Sequence, residues 1–152
     1  MRAKIMKMSM TKSTKSMQIK TYSELSRFHT FEERFDYLRL HGAVGRSTFG
    51  FDRHINQHFY RSREWKDVRD FVIVRDNGCD LGVSGYEIGS DILIHHINPM
   101  DVDDIVHGES WIIDPEFLIT TTHNTHNAIH YSDASLLPKI VVAREPNDTK
   151  LW

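Results

Sequence analysis

DILIHHINPM, residues 91–100, sets two adjacent histidines, His95 and His96, at the end of an apolar, β-branched run that Asn98 and Pro99 close. That composition predicts a strand. Neighbouring side chains on a strand point to opposite faces, so the two imidazoles should diverge rather than grip one ion side by side. Divergence suits a division of labour in which one imidazole joins a metal and the other, left free, takes a proton from water. A second stretch, TTTHNTHNAIHY at residues 120–131, opens with threonines that can cap a helix of about two turns. There His126 and His130 stand one turn apart on one face, the spacing that lets two imidazoles hold one ion. With one strand histidine they make three protein ligands and leave positions open for water and a phosphate oxygen, which is the pattern of a catalytic rather than a structural site. Either histidine pair alone also fits a packed or surface pair; their joint presence argues for a site. His123 is an auxiliary candidate, expected to be exposed near the helix start.

Outward from these stretches, the chain reads as helices followed by short strands. Thr30 and Glu33 have capping-box spacing ahead of Phe31, Phe35 and Leu38, and Gly42 supplies a stop, so a helix is expected over about 31–40. GAVGRSTFGFDR should be a glycine-rich loop or short hairpin. Ser62 can cap a helix whose apolar residues Trp65, Val68 and Val72 lie three and four apart and which ends before Gly78. Arg61, Arg63, Lys66 and Arg69 punctuate this segment, and Lys66 with Arg69 can face phosphates together; a solvated outer face is the competing reading. Beyond Gly78, GVSGYEIGSD approaches a hairpin, MDVDDIVHGES makes a turn or two of helix with Asp101 as cap and Gly108 as stop, and DPEFLITTT turns into a second strand.

Composition sets the limits. A chain of 152 residues with 39% hydrophobic and 26% charged residues fits one domain with a modest core. No apolar run approaches a membrane span, and the basic start lacks the continuous apolar region of a secretory signal, so an unsecreted, cytoplasmic protein is expected. Cys79 is the single cysteine, which excludes an internal disulfide and a thiolate-rich zinc knuckle. Charge is uneven: residues 1–75 carry 16 Lys or Arg against 8 Asp or Glu, whereas 76–152 carry 3 against 13. A basic half can follow a phosphate backbone, although solvated faces of opposite sign would look the same. Residues 1–20 hold six Lys or Arg and no acid, and are expected to form a disordered basic arm.

HHINP, then DPEFLIT, then HNAIH resembles the HNH endonuclease motif, and FYRSREWKDVRDFVIVRDNGC resembles the segment that precedes it in small HNH proteins, including those of bacteriophages. Together they cover roughly residues 58–131. The resemblance implies an α+β fold with a ββα-metal core at 76–135, a helical, DNA-contacting extension at 21–75, the arm at 1–20 and a C-terminal tail at 136–152 packed on the domain. It implies phosphodiester cleavage in DNA, by nicking, with one divalent ion: Zn, Ni or Mn favoured by three imidazoles, Mg also accepted. Carried over by position, His95 is the strand ligand, His96 the general base, and His126 and His130 the helix ligands; His123 and Asn127 are auxiliary. A phage setting in a bacterial host would bring packaging or mobility, with the packaging machinery as a partner. The sequence departs from the motif at Phe117, where the family usually has its central asparagine. It departs again at Gly82, Thr122 and Thr125, which with Cys79 occupy the places of two CxxC pairs, so no structural zinc is expected. An inactive DNA-binding or assembly factor that keeps the HNH shape is the alternative that Phe117 favours. A hydrolase of small phosphate esters is a third, for which the basic half has no purpose.

Overall fold

The structure, a computed structural model, describes residues 18–40 and 53–139. Residues 41–52, with the Gly42 stop and nearly all of the glycine-rich stretch, the arm up to residue 17 and the tail beyond residue 139 lie outside the described residues. The architecture is α+β, with six α-helices and two small sheets among the described residues.

Local chemistry accounts for the helix limits. A single turn, α1 (Tyr22–Leu25), starts at Thr21, whose side chain accepts from the Glu24 N–H. The predicted capping box is present at α2 (Phe31–Leu38), where Thr30 and Glu33 exchange hydrogen bonds of 3.3 Å in both directions. Phe35 and Leu38 are buried, but Phe31 is exposed, because it stands at the first position of a short helix beyond the edge of the core. After α3 (Arg53–Arg61), Ser62 caps α4 (Arg63–Arg75) by accepting from the Trp65 N–H at 3.2 Å. The helix ends where Asn77 and Gly78 take left-handed backbone angles and the Gly78 N–H reaches back to the Ile73 carbonyl.

Two antiparallel pairs follow: β1 (Cys79–Asp80) with β2 (Tyr86–Glu87), and β3 (Leu93–His96) with β4 (Leu118–Thr121). Between β3 and β4 run α5 (Val102–Val106), capped reciprocally by Asp101 and Asp104, and two 3-10 turns at Ser110–Ile113 and Pro115–Phe117. Directly after β4 comes α6 (His123–Tyr131), started by the Thr122 side chain accepting from the Thr125 N–H and closed by Ser132 in the left-handed conformation.

The β3–β4 register decides what each face of the hairpin meets. His95 lies opposite Ile119, and His96 opposite Leu118. Ile119 belongs to a buried cluster with Leu25, Leu38, Ile97 and Ile129, which joins α1, α2 and α6 to one face. Leu118 belongs to a second cluster with Trp65, Val68 and Val72 of α4 on the other face. Because β4 is covered on both sides, all four of its residues are buried. Cross-strand partners share a face, so the register sends His95 toward α6 and His96 toward α4.

Candidate metal centre

His95 is 2% exposed, and its ring lies edge-on to those of His126 and His130, with both centroids 5.3 Å away. The His126 and His130 rings are 4.4 Å apart, as their one-turn spacing on α6 requires. One nitrogen from each of the three can be chosen so that all lie within 4.8 Å of one another. His95 Nε2 and His126 Nδ1 are buried and find no hydrogen-bond partner among the described residues. Buried polar atoms left without partners are costly, and a cation held between them would satisfy both. Burial holds His95 neutral well below the ordinary imidazole range, with His126 and His130 adding to the effect. It pushes His126 down to about 4 and lowers His130 as well. Three neutral imidazoles each offer a lone pair at neutral pH, so the donor set fits a divalent ion with an affinity for nitrogen.

His96 sits on the other face. Its ring stacks on Trp65, 5.5 Å between centroids and 17° between planes, and Trp111 meets it edge-on at 6.2 Å. Its Nε2 is 2.8 Å from the Ile112 carbonyl oxygen. A carbonyl can only accept, so Nε2 carries the proton and Nδ1 is left as the basic nitrogen. Burial brings the His96 pKa down to about 4, against an upward pull from the Ile112 carbonyl, and keeps the ring neutral at pH 7.

Phe117 meets Trp111 edge-on at 6.2 Å and so ends an aromatic row that starts with Trp65 and passes through His96. Its side chain cannot hydrogen-bond, but its carbonyl accepts from the Ile97 N–H at 2.9 Å, tying the end of β3 to the return strand through main chain alone. Arg75 closes the same loop from α4. It donates to the Pro115 and Leu118 carbonyls, each at 2.7 Å, is paired through two nitrogens with Asp76, and lies over the Tyr22 ring. Asp76 in turn accepts from the Thr120 N–H of β4 at 2.9 Å.

At the places of the cysteine pairs stands a hydrogen-bonded knot. The buried Asp80 carboxylate accepts from Thr122 N–H (3.0 Å), Thr122 Oγ1 (2.8 Å) and Thr125 Oγ1 (2.5 Å) with one oxygen, and from Gly82 N–H (2.9 Å) with the other. A Cβ at Gly82 would collide with Thr125 Cγ2 and lie 3.3 Å from Asp80 Oδ1. The knot pins the β1–β2 unit to the first turn of α6, where a carboxylate also complements the helix dipole.

The remaining sequence-predicted residues are spread around this centre. His123 is exposed, with its ring parallel to that of His126 at 6.4 Å; Asn127 is half-buried on α6. Arg61, Arg63 and Lys66 are exposed, Arg63 lying 3.8 Å from Asp67, while Arg69 is partly buried beside Asp70. Arg69 also lines an open cleft of about 370 Å³, as His126 does. Sequence reasoning missed Asp80, Arg75, Trp65 as the ring under His96, and Trp111. The only advance signal was local: an aspartate beside turn residues at Asp80, and Trp65 at a helical spacing with Val68 and Val72 that also reads as ordinary core. No family model, curated protein or solved structure gave a match to the chain. Among the described residues no helix is long and apolar enough to cross a membrane.

Proposed function

We propose that the chain is a divalent-metal-dependent endonuclease of the HNH, ββα-metal type, hydrolysing phosphodiester bonds in DNA by nicking. The observation that carries the reading is the meeting of His95 with His126 and His130, with buried nitrogens that find no partner among the described residues, while burial keeps the next residue in the strand, His96, neutral. The three histidines would hold the ion. When bound, it supplies Lewis-acid stabilisation of charge on the scissile phosphate and on the departing 3′ oxygen.

The chain's own part is proton transfer and orientation. The Ile112 carbonyl fixes the tautomer of His96, and Trp65 and Trp111 fix its plane, so Nδ1 accepts the proton of the attacking water. A neighbouring phosphate anion raises the proton affinity of a ring whose burial otherwise depresses it. The alternative, a DNA-binding or assembly factor without activity, draws support from Phe117, which removes the amide from the loop. The Ile97 N–H donates to the Phe117 carbonyl whatever the side chain, so this main-chain tie of the loop is kept. Packaging or mobility of a phage genome is the setting the motif resemblance suggests.

Incubating supercoiled plasmid with the purified protein and Zn, Ni, Mn or Mg tests the reading. Nicked circles that disappear with EDTA are expected; plasmid that is retarded but intact with every ion would leave the binding factor.

A further inference from the structure

The cleft beside the candidate centre has a composition that the proposed hydrolysis does not itself require. Its walls are Tyr60 at the end of α3, Trp65 and Arg69 on α4, Ile94 on β3, and His123 and His126 on α6. The Tyr60 ring is 42% exposed and braced edge-on against Trp65, 5.0 Å between centroids. It is therefore a flat apolar surface already held in place. Arg69, one turn beyond Trp65, has Asp70 as its ion-pair partner among the described residues, at 3.4 Å and in an exposed setting that competes weakly for the guanidinium. His126 is common to the cleft and the metal centre, so whatever fills the cleft adjoins the bond that would be cut.

An aromatic platform, an apolar floor and a cation beside a candidate metal centre together match one nucleotide: ring against Tyr60, phosphate toward Arg69. The volume of about 370 Å³ lies at the small end of the ~300–1,000 Å³ of ligand clefts and suits a single base with its sugar. Bases inside a duplex are stacked on both faces and cannot enter such a cleft unless they leave the stack.

We propose that this cleft binds an unstacked nucleotide adjoining the scissile phosphate, and that the protein therefore favours single-stranded or locally opened nucleic acid over intact duplex. The proposal rests on the nuclease reading for its position next to the scissile bond, but the binding it predicts is measurable without cleavage.

The test is fluorescence anisotropy in EDTA, with the full chain and a short labelled single strand of DNA, the same strand in RNA, and the DNA duplex. The single strands should bind more tightly than the duplex. Tyr60→Ala should weaken single-strand binding roughly 5- to 150-fold, the range for removing one base–aromatic stack, and leave duplex binding unchanged. Tyr60→Phe keeps the ring and should bind as wild type, which separates loss of the platform from loss of the fold. Arg69→Gln should weaken single-strand binding and flatten its salt dependence. Equal or tighter binding of duplex, or a Tyr60→Ala variant with wild-type single-strand affinity, overturns the proposal. Failure of the two readings is distinguishable. Strong single-strand binding without cleavage by any ion retains the cleft and removes the nuclease, whereas metal-dependent nicking with no strand preference does the reverse.

Discussion

His96 Nε2 lies 2.8 Å from the carbonyl oxygen of Ile112, sixteen residues further along the chain, and this bond determines which nitrogen of the ring is basic. The loop between β3 and β4 thus serves as the tautomer lock for the strand it leaves. On the nuclease reading, His96→Ala should lower plasmid nicking by roughly 10²- to 10⁴-fold, the usual contribution of a general base, while leaving ion binding intact because His96 is not one of the three histidines that could hold the ion. Nicking assays beside metal titrations of the same variant check this. Wild-type cleavage by His96→Ala would remove His96 from the chemistry.

The Asp80 knot ties β1–β2 to the start of α6, and its removal should be felt at α6. Asp80→Ala leaves the Gly82 and Thr122 N–H donors and the Thr125 hydroxyl without their acceptor, while the Thr122 hydroxyl can still donate to Thr125 Oγ1 at 3.1 Å, and each buried unsatisfied group costs about 1–3 kcal/mol. Gly82→Ala drives a methyl group into Thr125 and should cost roughly 1–3 kcal/mol as overpacking. Urea unfolding monitored by circular dichroism measures both. A Gly82→Ala protein as stable as wild type would mean that the knot yields without loss.

Acid should destabilise the metal-free protein through its histidines. The folded-state pKa values of His96 and His126 are pushed down to about 4, whereas an unfolded imidazole titrates near 6.5. Between these values the unfolded chain binds more protons, so stability rises with pH. It is fully present above about pH 6.5 and falls as pH drops toward 4, by up to ~1.4 kcal/mol per unit for His96 and by less for the more exposed His126, whose shift solvent screens. Denaturant midpoints measured in EDTA across pH 4–7 should show this slope. His96→Phe, which preserves the ring stack, should reduce it.

Much of the site was legible because the two periodicities involved are strong. Alternation along β3 separated His95 from His96, and the one-turn spacing of His126 and His130 placed them together; neither inference needs tertiary information. The capping signals at Thr30, Ser62 and Asp101 were equally local, and each is made in the structure by the expected side chain. What could not be read depends on pairs far apart in the chain. The Asp80 knot spans 42 to 45 residues and the Arg75 clamp 40 to 43, and nothing near either residue specifies its partner. Helix α1 is a single turn, too short for periodicity to register. At Phe117 the sequence shows only a departure from the motif's asparagine, because a side chain is all that a sequence motif records. The main-chain bond from Ile97 to its carbonyl is available to any residue at that position.

On the proposed reading, His95, His126 and His130 hold one divalent ion. X-ray absorption at the metal edge, with metal content measured on the same sample, tests it most directly using protein loaded with Zn or Ni. One ion per chain with three imidazole ligands is expected, and loss of that ion in His126→Ala. A chain that retains no ion, or a His126→Ala variant with unchanged stoichiometry and ligand count, would contradict it.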